Sequence, residues 1–422
     1  MDAVEIVSEL ALKARAAART LSTATGAERK AALYAIAAAI ESRSAEILKA
    51  NGEDIARAKA EDMHPQMQDR LLLTESRVAG MAKGARLVAD LPDPLGQVLR
   101  HSTLPNGLDL KQVSVPFGVI GMVYEARPNV TVDAAVILLM SGNSALLRGS
   151  STAAASNQVL VDVMRDALAT TNISPDVIQL VPSDDRATVK ALLNARGKVD
   201  LVIPRGSAAL IRMVVDESTV PTIETGAGVC HVYVDEFADI EKALPILINS
   251  KTHRPSVCNA AETLLVHRAI APTFLPMALK ALSDAGVILH ADATAQKVAE
   301  KFGIASTVAT DENWCTEYGI LEMNVGVVDS VDAAADHIAK YGTNHTEAIV
   351  TENQANADRF IALSDCAAVM VNTSTRFTDG EMFGFGAEVG ISTQKLHVRG
   401  PMGLEALTTE RYVVTTEGII RK

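Results

Sequence analysis

The chain has 422 residues, a formal net charge of −12, and 48% hydrophobic against 21% charged residues. This length predicts two or three domains with substantial cores. The acidic balance argues against non-specific binding to nucleic acid, and the longest strongly apolar run, residues 134–140, is too short to span a membrane.

The N-terminus and the cysteines predict the compartment. The first residues lack the basic start and unbroken apolar core of a signal peptide. The four cysteines form no CxxC pair and are too few for a disulfide framework in so long a chain. We therefore expect a cytoplasmic protein in a reducing compartment.

The spacing of apolar residues changes once in the first half of the chain, from a helical to a β-type pattern. Residues 3–91 predict helices, because apolar residues recur at three- and four-residue spacing. Residues 97–118 contain two β-type runs around Asn106-Gly107, a strong hairpin signal. This hairpin is either a surface feature or an arm that pairs with another subunit, and the run 405–418 predicts a strand that joins it.

Strands and helices alternate from residue 118 to residue 372. Such βα alternation predicts doubly wound parallel sheets, and nucleotides bind at the carboxyl edge of such sheets. We place a domain boundary near Asp235. The prediction is a cofactor domain over 1–234, with 97–118 as its hairpin, a catalytic domain over 235–372, and a return segment over 373–422.

Cys258 is the first candidate for chemistry. Cysteine is among the most buried residue types, so its default interpretation is a small core residue. Lys251, His253 and Arg254 precede it, however, and positive neighbours lower the pKa of a thiol. The run 256–262 also favours a helical turn whose N–H groups face the ligand of Cys258. From the residues alone, Cys258 is either a nucleophile or a small core residue. Cys230, Cys315 and Cys366 have no such neighbours and are expected to be packing residues.

The turn "LLRGSS" is the first candidate for a cofactor site, since no GxGxxG, Walker A or HExxH motif occurs. It ends a predicted strand and opens a helix, so Arg148 and the N–H groups of Gly149, Ser150 and Ser151 would hold a phosphate. The alternative is an ordinary strand-to-helix turn. The turn lacks the carboxylate that contacts a ribose 2′-hydroxyl, which favours the 2′-phosphorylated cofactor.

Four other features have a structural and a functional interpretation. In "PRGSAAL", Gly206 allows close approach of a ligand and Ser207 caps a helix. Asn129, after Pro128, is either an N-cap or an amide donor to a developing oxyanion. Glu224, before a glycine-rich loop, is by default a solvated charge. The glycine-rich run 375–390 carries exposed-looking aromatic residues and is typical of loops that close over sites.

Together these segments resemble the aldehyde dehydrogenase superfamily, and specifically its γ-glutamyl phosphate reductase branch. The resemblance covers essentially the whole chain. It rests on several long stretches: "YEARPNVT", "LLRGSS", "PRGS", "IETGAG", "KTHRPSVCNAAETLLVH", "HIAKYGTNHTEAIV", "FGFGAEVGISTQKLH" and "RGPMGLEALTT". It implies an α/β, aldehyde-dehydrogenase-like fold with two doubly wound parallel-sheet domains. It also implies that the hairpin arm makes a homodimer or homotetramer.

The resemblance implies roles for single residues. Cys258 resembles the nucleophile, Asn129 the oxyanion-hole amide and Glu224 the general base. The cofactor NADPH/NADP is implied at Arg148, Ser150, Ser151, Gly206, Ser207 and Glu317. Ser151 stands where NAD-preferring members often carry Glu, which supports NADPH. Candidate substrate contacts are Arg127, Arg254, Phe383, Lys251 and Arg399, and no metal site is implied.

The implied reaction uses these residues in sequence. The Cys258 thiolate attacks the acyl carbon of L-glutamate 5-phosphate, phosphate leaves, and the thioester is reduced to L-glutamate 5-semialdehyde. Hydrolysis would waste this substrate, so we predict that Glu224 assists proton transfer or Cys258 activation rather than delivering water. Unchanged reductase turnover in Glu224→Gln would exclude that role.

Two departures and three alternatives qualify the resemblance. The branch has glycine where this chain has Ser256, and it has a second glycine in "DGGxFG" where this chain reads "DGEMFG" with Glu381 and Met382, which affects loop conformation. One alternative is an oxidising, NAD-linked aldehyde dehydrogenase of the same fold. A second is a non-enzymatic nucleotide-binding or assembly protein with an inert Cys258. A third is a reductase that works mainly in a complex with glutamate 5-kinase, because the acyl phosphate is labile.

Overall fold

The computed structural model describes residues 1–421 and divides into two compact units. Unit 1 comprises residues 1–224, 384–390 and 402–421, and unit 2 comprises Thr225–Phe383 and Ile391–Pro401. The predicted boundary at 234/235 lies at the end of the first strand of unit 2. The chain returns to unit 1 after unit 2, so the predicted return segment contributes to both units.

Unit 1 begins with the helices that the apolar spacing predicts. Capping boxes start the first two, where Asp2 pairs with Glu5 and Thr25 pairs with Glu28. The buried faces are rich in alanine, so these helices pack closely through small side chains. Their bounds are α1 Ala3–Leu21, α2 Gly26–Ser42, α3 Ser44–Ala60, α4 Pro65–Leu71 and α5 Glu75–Ala89.

A hairpin and a four-stranded parallel sheet follow in unit 1. Strands β1 Val98–Thr103 and β2 Asp109–Pro116 form the hairpin. The parallel sheet has the order β5-β4-β3-β6, and α1 packs on it through a shared apolar cluster. The remaining bounds are β3 Val119–Tyr124, α6 Pro128–Met140, β4 Ser144–Arg148, α7 Ala154–Leu168, β5 Ile178–Leu180, α8 Ala187–Leu193, β6 Leu201–Arg205 and α9 Ala208–Glu217.

Unit 2 is built on a seven-stranded sheet of order β10-β9-β11-β8-β7-β12-β13, in which every neighbouring pair is parallel. The central strands β7, β8 and β12 are buried along almost their whole length, as expected for a sheet covered on both faces. The bounds are β7 Cys230–Val234, α10 Ile240–Thr252, β8 Ala261–His267, α11 Ala271–Asp284, β9 Ile288–Ala291, α12 Ala293–Lys301, β10 Thr307–Val308, α13 Asp311–Trp314, β11 Glu322–Val328, α14 Val331–Tyr341, β12 Thr346–Val350, α15 Gln354–Leu363, β13 Ala368–Val371, β14 Ile391–Ser392 and β15 Gly400–Pro401. The α/β fold with parallel sheets is therefore confirmed.

The predicted hairpin and C-terminal strand form a separate three-stranded antiparallel sheet in unit 1. Gly107 has a φ of 85° in the hairpin turn, a conformation that glycine adopts at little cost. Strand β16, Thr408–Thr415, pairs with β2 along its length, so the predicted pairing is confirmed. Most side chains of β1 and β16 are exposed. Within residues 1–421, no helix is long and apolar enough to cross a membrane.

Candidate active site

Cys258 lies in a turn between α10 and β8. The thiol is half-buried. The predicted helical turn at 256–262 is wrong, because a hydrogen bond from the Ala260 N–H to the Val257 carbonyl closes a tight turn that runs directly into β8. The N-terminal helix dipole that such a turn would have supplied is therefore not part of this site.

The backbone of Cys258 is fixed by the residues before β7. A Cβ atom built on Gly228 would lie 1.5 Å from the Cys258 carbonyl oxygen, so only glycine fits there. The Cys230 thiol donates to the same carbonyl oxygen at 3.2 Å. On the other side, the Asn259 amide donates to the Thr378 carbonyl at 2.8 Å. The turn is therefore held on both flanks while its thiol remains partly accessible.

Two arginines and a histidine surround this turn. The Arg376 guanidinium is half-buried, interacts electrostatically with the Cys258 thiol and Arg254, and donates from Nε to His253 Nδ1 at 3.4 Å. Burial and the Arg254 charge lower the pKa of Arg376. Two guanidinium groups that repel each other beside a thiol favour an anionic ligand. No local sequence signal identified Arg376, which lies far from Cys258 in the chain.

The other basic candidates in unit 2 lie beside carboxylates. Lys251 is fully buried and its Nζ lies 2.5 Å from Glu262 Oε2, so its proposed contact with substrate is wrong. The Arg399 Nη1 donates to Asp365 at 2.8 Å. Arg254 is exposed, and its charge acts on Arg376, which also interacts with the Cys258 thiol.

Glu317 lies in the turn between α13 and β11. Its carboxylate accepts a hydrogen bond from the Gly228 N–H. Gly228 is the same residue against which the Cys258 carbonyl packs. Desolvation raises the pKa of Glu317, and the Gly228 N–H and the Lys251 charge oppose that rise. Glu317, the predicted cofactor ligand, and the turn that carries Cys258, the predicted nucleophile, thus both contact Gly228.

The loop after Arg376 is organised by Asp379. Its carboxylate accepts the N–H groups of Glu381 and Met382 at 3.0 and 3.3 Å, and its carbonyl accepts the Phe383 N–H. The departure in this loop, at Glu381 and Met382, therefore places exposed side chains on a turn that their backbone N–H groups stabilise. Phe383 is 39% exposed, which fits a side chain available to a ligand.

The remaining cysteines differ from their predicted packing role in one case. Cys230 is fully buried, and burial raises its pKa well above the usual value of a thiol. Burial also raises the pKa of Cys366 to about 12. Cys315 is exposed, so its assignment to packing is wrong. The packing signal of a lone cysteine is statistical, and nothing local distinguished Cys315.

The predicted cofactor residues of unit 1 follow the carboxyl ends of its parallel strands. Ser151 lines a cavity of about 320 Å³, together with Gly149, Asn157, Pro182, Ser183 and Asp184. Ser150 caps the short 3-10 helix Ser151–Ala153 that precedes α7. The strand, turn and helix predicted from "LLRGSS" are therefore confirmed. Asp184 brings a carboxylate to this cavity from the β5–α8 loop, which the sequence analysis did not anticipate.

Arg148 has a different setting from the one expected of a phosphate ligand. Its side chain is 7% exposed and donates to the carbonyl oxygens of Gly149, Ser183 and Asp185. These bonds tie the turn after β4 to the loop after β5. Arg148 therefore holds together two segments that line the cavity, and its buried side chain shapes the turn after β4.

The start of α9 is bonded to a carboxylate that the sequence analysis missed. The Ser207 N–H and hydroxyl donate to Glu125 at 2.9 and 2.6 Å, and a Cβ on Gly206 would meet the Glu125 side chain at 2.7 Å. Glu125 follows β3 and Gly206 follows β6, which are neighbouring strands where the strand order reverses. This is the position at which open α/β sheets bind ligands.

Asn129 and Arg127 lie at the start of α6. Arg127 is the N-cap residue, so the N-cap interpretation of Asn129 is wrong. The Asn129 amide donates to Asp133 at 2.9 Å, and burial raises the pKa of Asp133 to about 6. Glu224 is half-buried at the end of unit 1, directly before Thr225 of unit 2.

Comparison with known proteins identifies the family. The model of the aldehyde dehydrogenase family matches residues 3–296. The chain belongs to the aldehyde dehydrogenase family. The γ-glutamyl phosphate reductase of Thermobifida fusca is 55% identical over 415 residues, which are 98% of each chain. That of Kineococcus radiotolerans is 54% identical over 417 residues, covering 99% of this chain and 96% of the other.

A solved structure gives the same result at the level of the fold. The crystal structure of γ-glutamyl phosphate reductase from Thermotoga maritima aligns with a TM-score of 0.96 and 44% identity, over 99% of this chain and 100% of that chain. The predicted membership of the γ-glutamyl phosphate reductase branch and the aldehyde dehydrogenase fold are thus confirmed. Aldehyde dehydrogenases use nicotinamide cofactors.

Replacement of Gly228 by alanine tests the geometry of the Cys258 turn. The added Cβ must push the Cys258 carbonyl away, and a shift of about 1 Å at a reacting group can cost about 100-fold in rate. We expect Gly228→Ala to slow alkylation of Cys258 by iodoacetamide and to abolish most activity, while the protein remains folded.

Gly52→Ala is the matched control, because a Cβ there meets nothing within 4 Å and Gly52 lies in helix α3. Alkylation and activity should equal those of the unchanged protein. Equal behaviour of Gly228→Ala and Gly52→Ala would contradict the assigned packing of the Cys258 turn.

Proposed function

We propose that this aldehyde dehydrogenase family member is a γ-glutamyl phosphate reductase, which reduces L-glutamate 5-phosphate to L-glutamate 5-semialdehyde and phosphate in proline biosynthesis. The observation that carries the proposal is the half-buried Cys258 thiol beside Arg376 and Arg254. The close relatives named for this activity support it. A protein with this activity acts where proline is made, and we propose that this protein is located in the cytoplasm.

Cys258 is the proposed nucleophile. Arg376 and Arg254 favour its thiolate and also attract the phosphoryl group of the substrate. The thiolate attacks the acyl carbon, the carbon–oxygen bond to phosphate breaks, and a thioester to Cys258 forms. The Cys258 N–H and the Asn129 amide are the proposed donors to the oxyanion. Glu224 keeps its predicted role in proton transfer.

The residues of unit 1 fit a nicotinamide dinucleotide at the carboxyl edge of the sheet. The cavity beside Gly149 and Ser151 would take the adenosine ribose, and the Ser207 N–H at the start of α9 would take a phosphate. That phosphate would have to displace the Glu125 carboxylate. When bound, the cofactor supplies the hydride that reduces the thioester. Glu317 would accept hydrogen bonds from the ribose next to the nicotinamide.

NADPH is the proposed cofactor because Ser151 leaves room for a 2′-phosphate where a carboxylate would repel it. Asp184 at the same cavity opposes this preference. The ratio of kcat/KM for NADPH to kcat/KM for NADH measures the net preference that results from Ser151 and Asp184. We expect NADPH to be favoured, and we expect Asp184→Asn to increase the preference.

The dependence on phosphate separates the proposed reductase from an oxidising aldehyde dehydrogenase. In the reverse direction, the thioester must be released by phosphate, so NADP⁺ reduction with L-glutamate 5-semialdehyde should require inorganic phosphate and should saturate with it. Sulfate at equal ionic strength is the control. Phosphate-independent oxidation would favour the hydrolytic alternative.

Arg376→Gln tests the anion site at Cys258. Loss of a charged hydrogen-bond donor costs on the order of 10- to 100-fold in affinity, so KM for L-glutamate 5-phosphate should rise by about that factor. KM for NADPH should stay the same. Arg359→Gln is the control, since Arg359 is exposed and paired with Asp332. An unchanged substrate KM in Arg376→Gln would exclude this role.

We propose that the three-stranded sheet of β1, β2 and β16 is the surface through which the protein forms a homodimer or homotetramer. Its outer strands leave backbone groups unpaired and expose Val98, Leu99, Tyr412 and Val414. Sedimentation equilibrium gives the mass. A monomer at micromolar concentration would exclude the proposal. Sedimentation of a mixture with glutamate 5-kinase would test whether that enzyme binds as a second partner.

A further inference from the structure

Lys251 and Glu262 form an ion pair inside unit 2. The Nζ–Oε2 distance is 2.5 Å, and neither side chain is exposed. Lys251 lies in the last turn of α10 before the Cys258 turn, and Glu262 lies at the start of β8 after it. A buried ion pair of this kind contributes little net stability compared with apolar residues of similar size. The pair therefore calls for another explanation than stability.

The second oxygen of Glu262 reaches the turn that carries Glu317. Glu262 Oε1 accepts the Gly319 N–H at 3.3 Å, and the Lys251 ammonium lies 6.0 Å from the centre of the Tyr318 ring. Glu262 thus bonds to the turn 317–319, and the Lys251 ammonium lies at the outer limit of cation–π range from it. Among the described side-chain bonds, the pair is what joins this turn to β8 and α10.

Glu317 is connected to the Cys258 turn by a second route. Its carboxylate accepts the Gly228 N–H, and Gly228 is packed against the Cys258 carbonyl. The ion pair and Gly228 therefore hold the Glu317 turn from two sides. The Lys251 charge also favours the ionised form of Glu317, because it opposes the rise in pKa that desolvation causes.

We propose that the Lys251–Glu262 ion pair positions the cofactor: it holds the turn 317–319 in place beside the Cys258 turn, so that the Glu317 carboxylate is set to bind the ribose hydroxyls next to the nicotinamide. Lys251 and Glu262 are positioning residues that act through Glu317. This inference rests on the proposed function, since it assigns a role to residues behind the proposed cofactor site.

Lys251→Met tests the proposal through cofactor binding without substrate. The dissociation constant for NADPH, measured by its fluorescence, should rise by about tenfold, as is typical of coupling between neighbouring residues. KM for L-glutamate 5-phosphate and the rate of Cys258 alkylation should stay the same. Glu262→Gln, which keeps the size of the side chain and an acceptor for Gly319, should weaken NADPH binding in the same direction.

A double-mutant cycle with Glu317→Gln separates positioning from a general loss of structure. If Lys251 acts through Glu317, Lys251→Met should have no further effect on NADPH binding in the Glu317→Gln background. Asp235→Asn is the matched control, because Asp235 is a buried acid at the carboxyl end of β7, whereas Glu262 lies at the amino end of the neighbouring parallel strand β8. It should leave NADPH binding unchanged.

Two results would overturn the proposal: folded Lys251→Met and Glu262→Gln proteins that bind NADPH as tightly as the unchanged protein, or independent effects of Lys251→Met and Glu317→Gln. Failure of the proposed function would look different. The unchanged protein would then bind NADPH but would not oxidise it with L-glutamate 5-phosphate.

Discussion

The contact between the Cys258 carbonyl and Gly228 is the constraint on which the candidate site depends. It leaves no room for a side chain at Gly228, and it sets the turn between α10 and β8 directly against the segment that enters β7. Gly228 also donates its N–H to Glu317. One residue without a side chain therefore fixes both the thiol that would react and the carboxylate that would bind the cofactor. Close packing of backbone on backbone leaves such a turn few alternative positions.

The charges of unit 2 are arranged by depth. Lys251 is buried and neutralised by Glu262, so its charge organises a neighbouring turn. Arg376 and Arg254 lie nearer the surface, beside the thiol. Binding of an anion there would relieve the repulsion between the two guanidinium groups. We propose that a chain with a net charge of −12 thus offers a local cationic site to a doubly anionic substrate.

The regular structure was largely predictable from the sequence, because each element carries its own signal. The apolar spacing of residues 3–91 predicted helices, and Asn106-Gly107 predicted the hairpin that β16 completes. The boundary between the units was harder to place. It lies at residues 224 and 225, within a glycine-rich loop, rather than after the next strand.

The site was predicted in part, since local sequence carries no information about contacts between distant segments. Cys258 stood out because of its basic neighbours, and Lys251 was then assigned to the substrate because depth cannot be read from a charge run. Arg376, Gly228 and Glu125 were missed for the same reason. Each acts on a residue that is remote in the chain, and only the fold brings the two together.

The most direct measurement is NADPH oxidation with freshly prepared L-glutamate 5-phosphate, comparing the unchanged protein with Cys258→Ala and with Cys366→Ala as a thiol control. The account predicts turnover in the unchanged protein and in Cys366→Ala, and none in Cys258→Ala. Equal turnover in all three proteins would contradict it, because the reaction would then proceed without the Cys258 thiol.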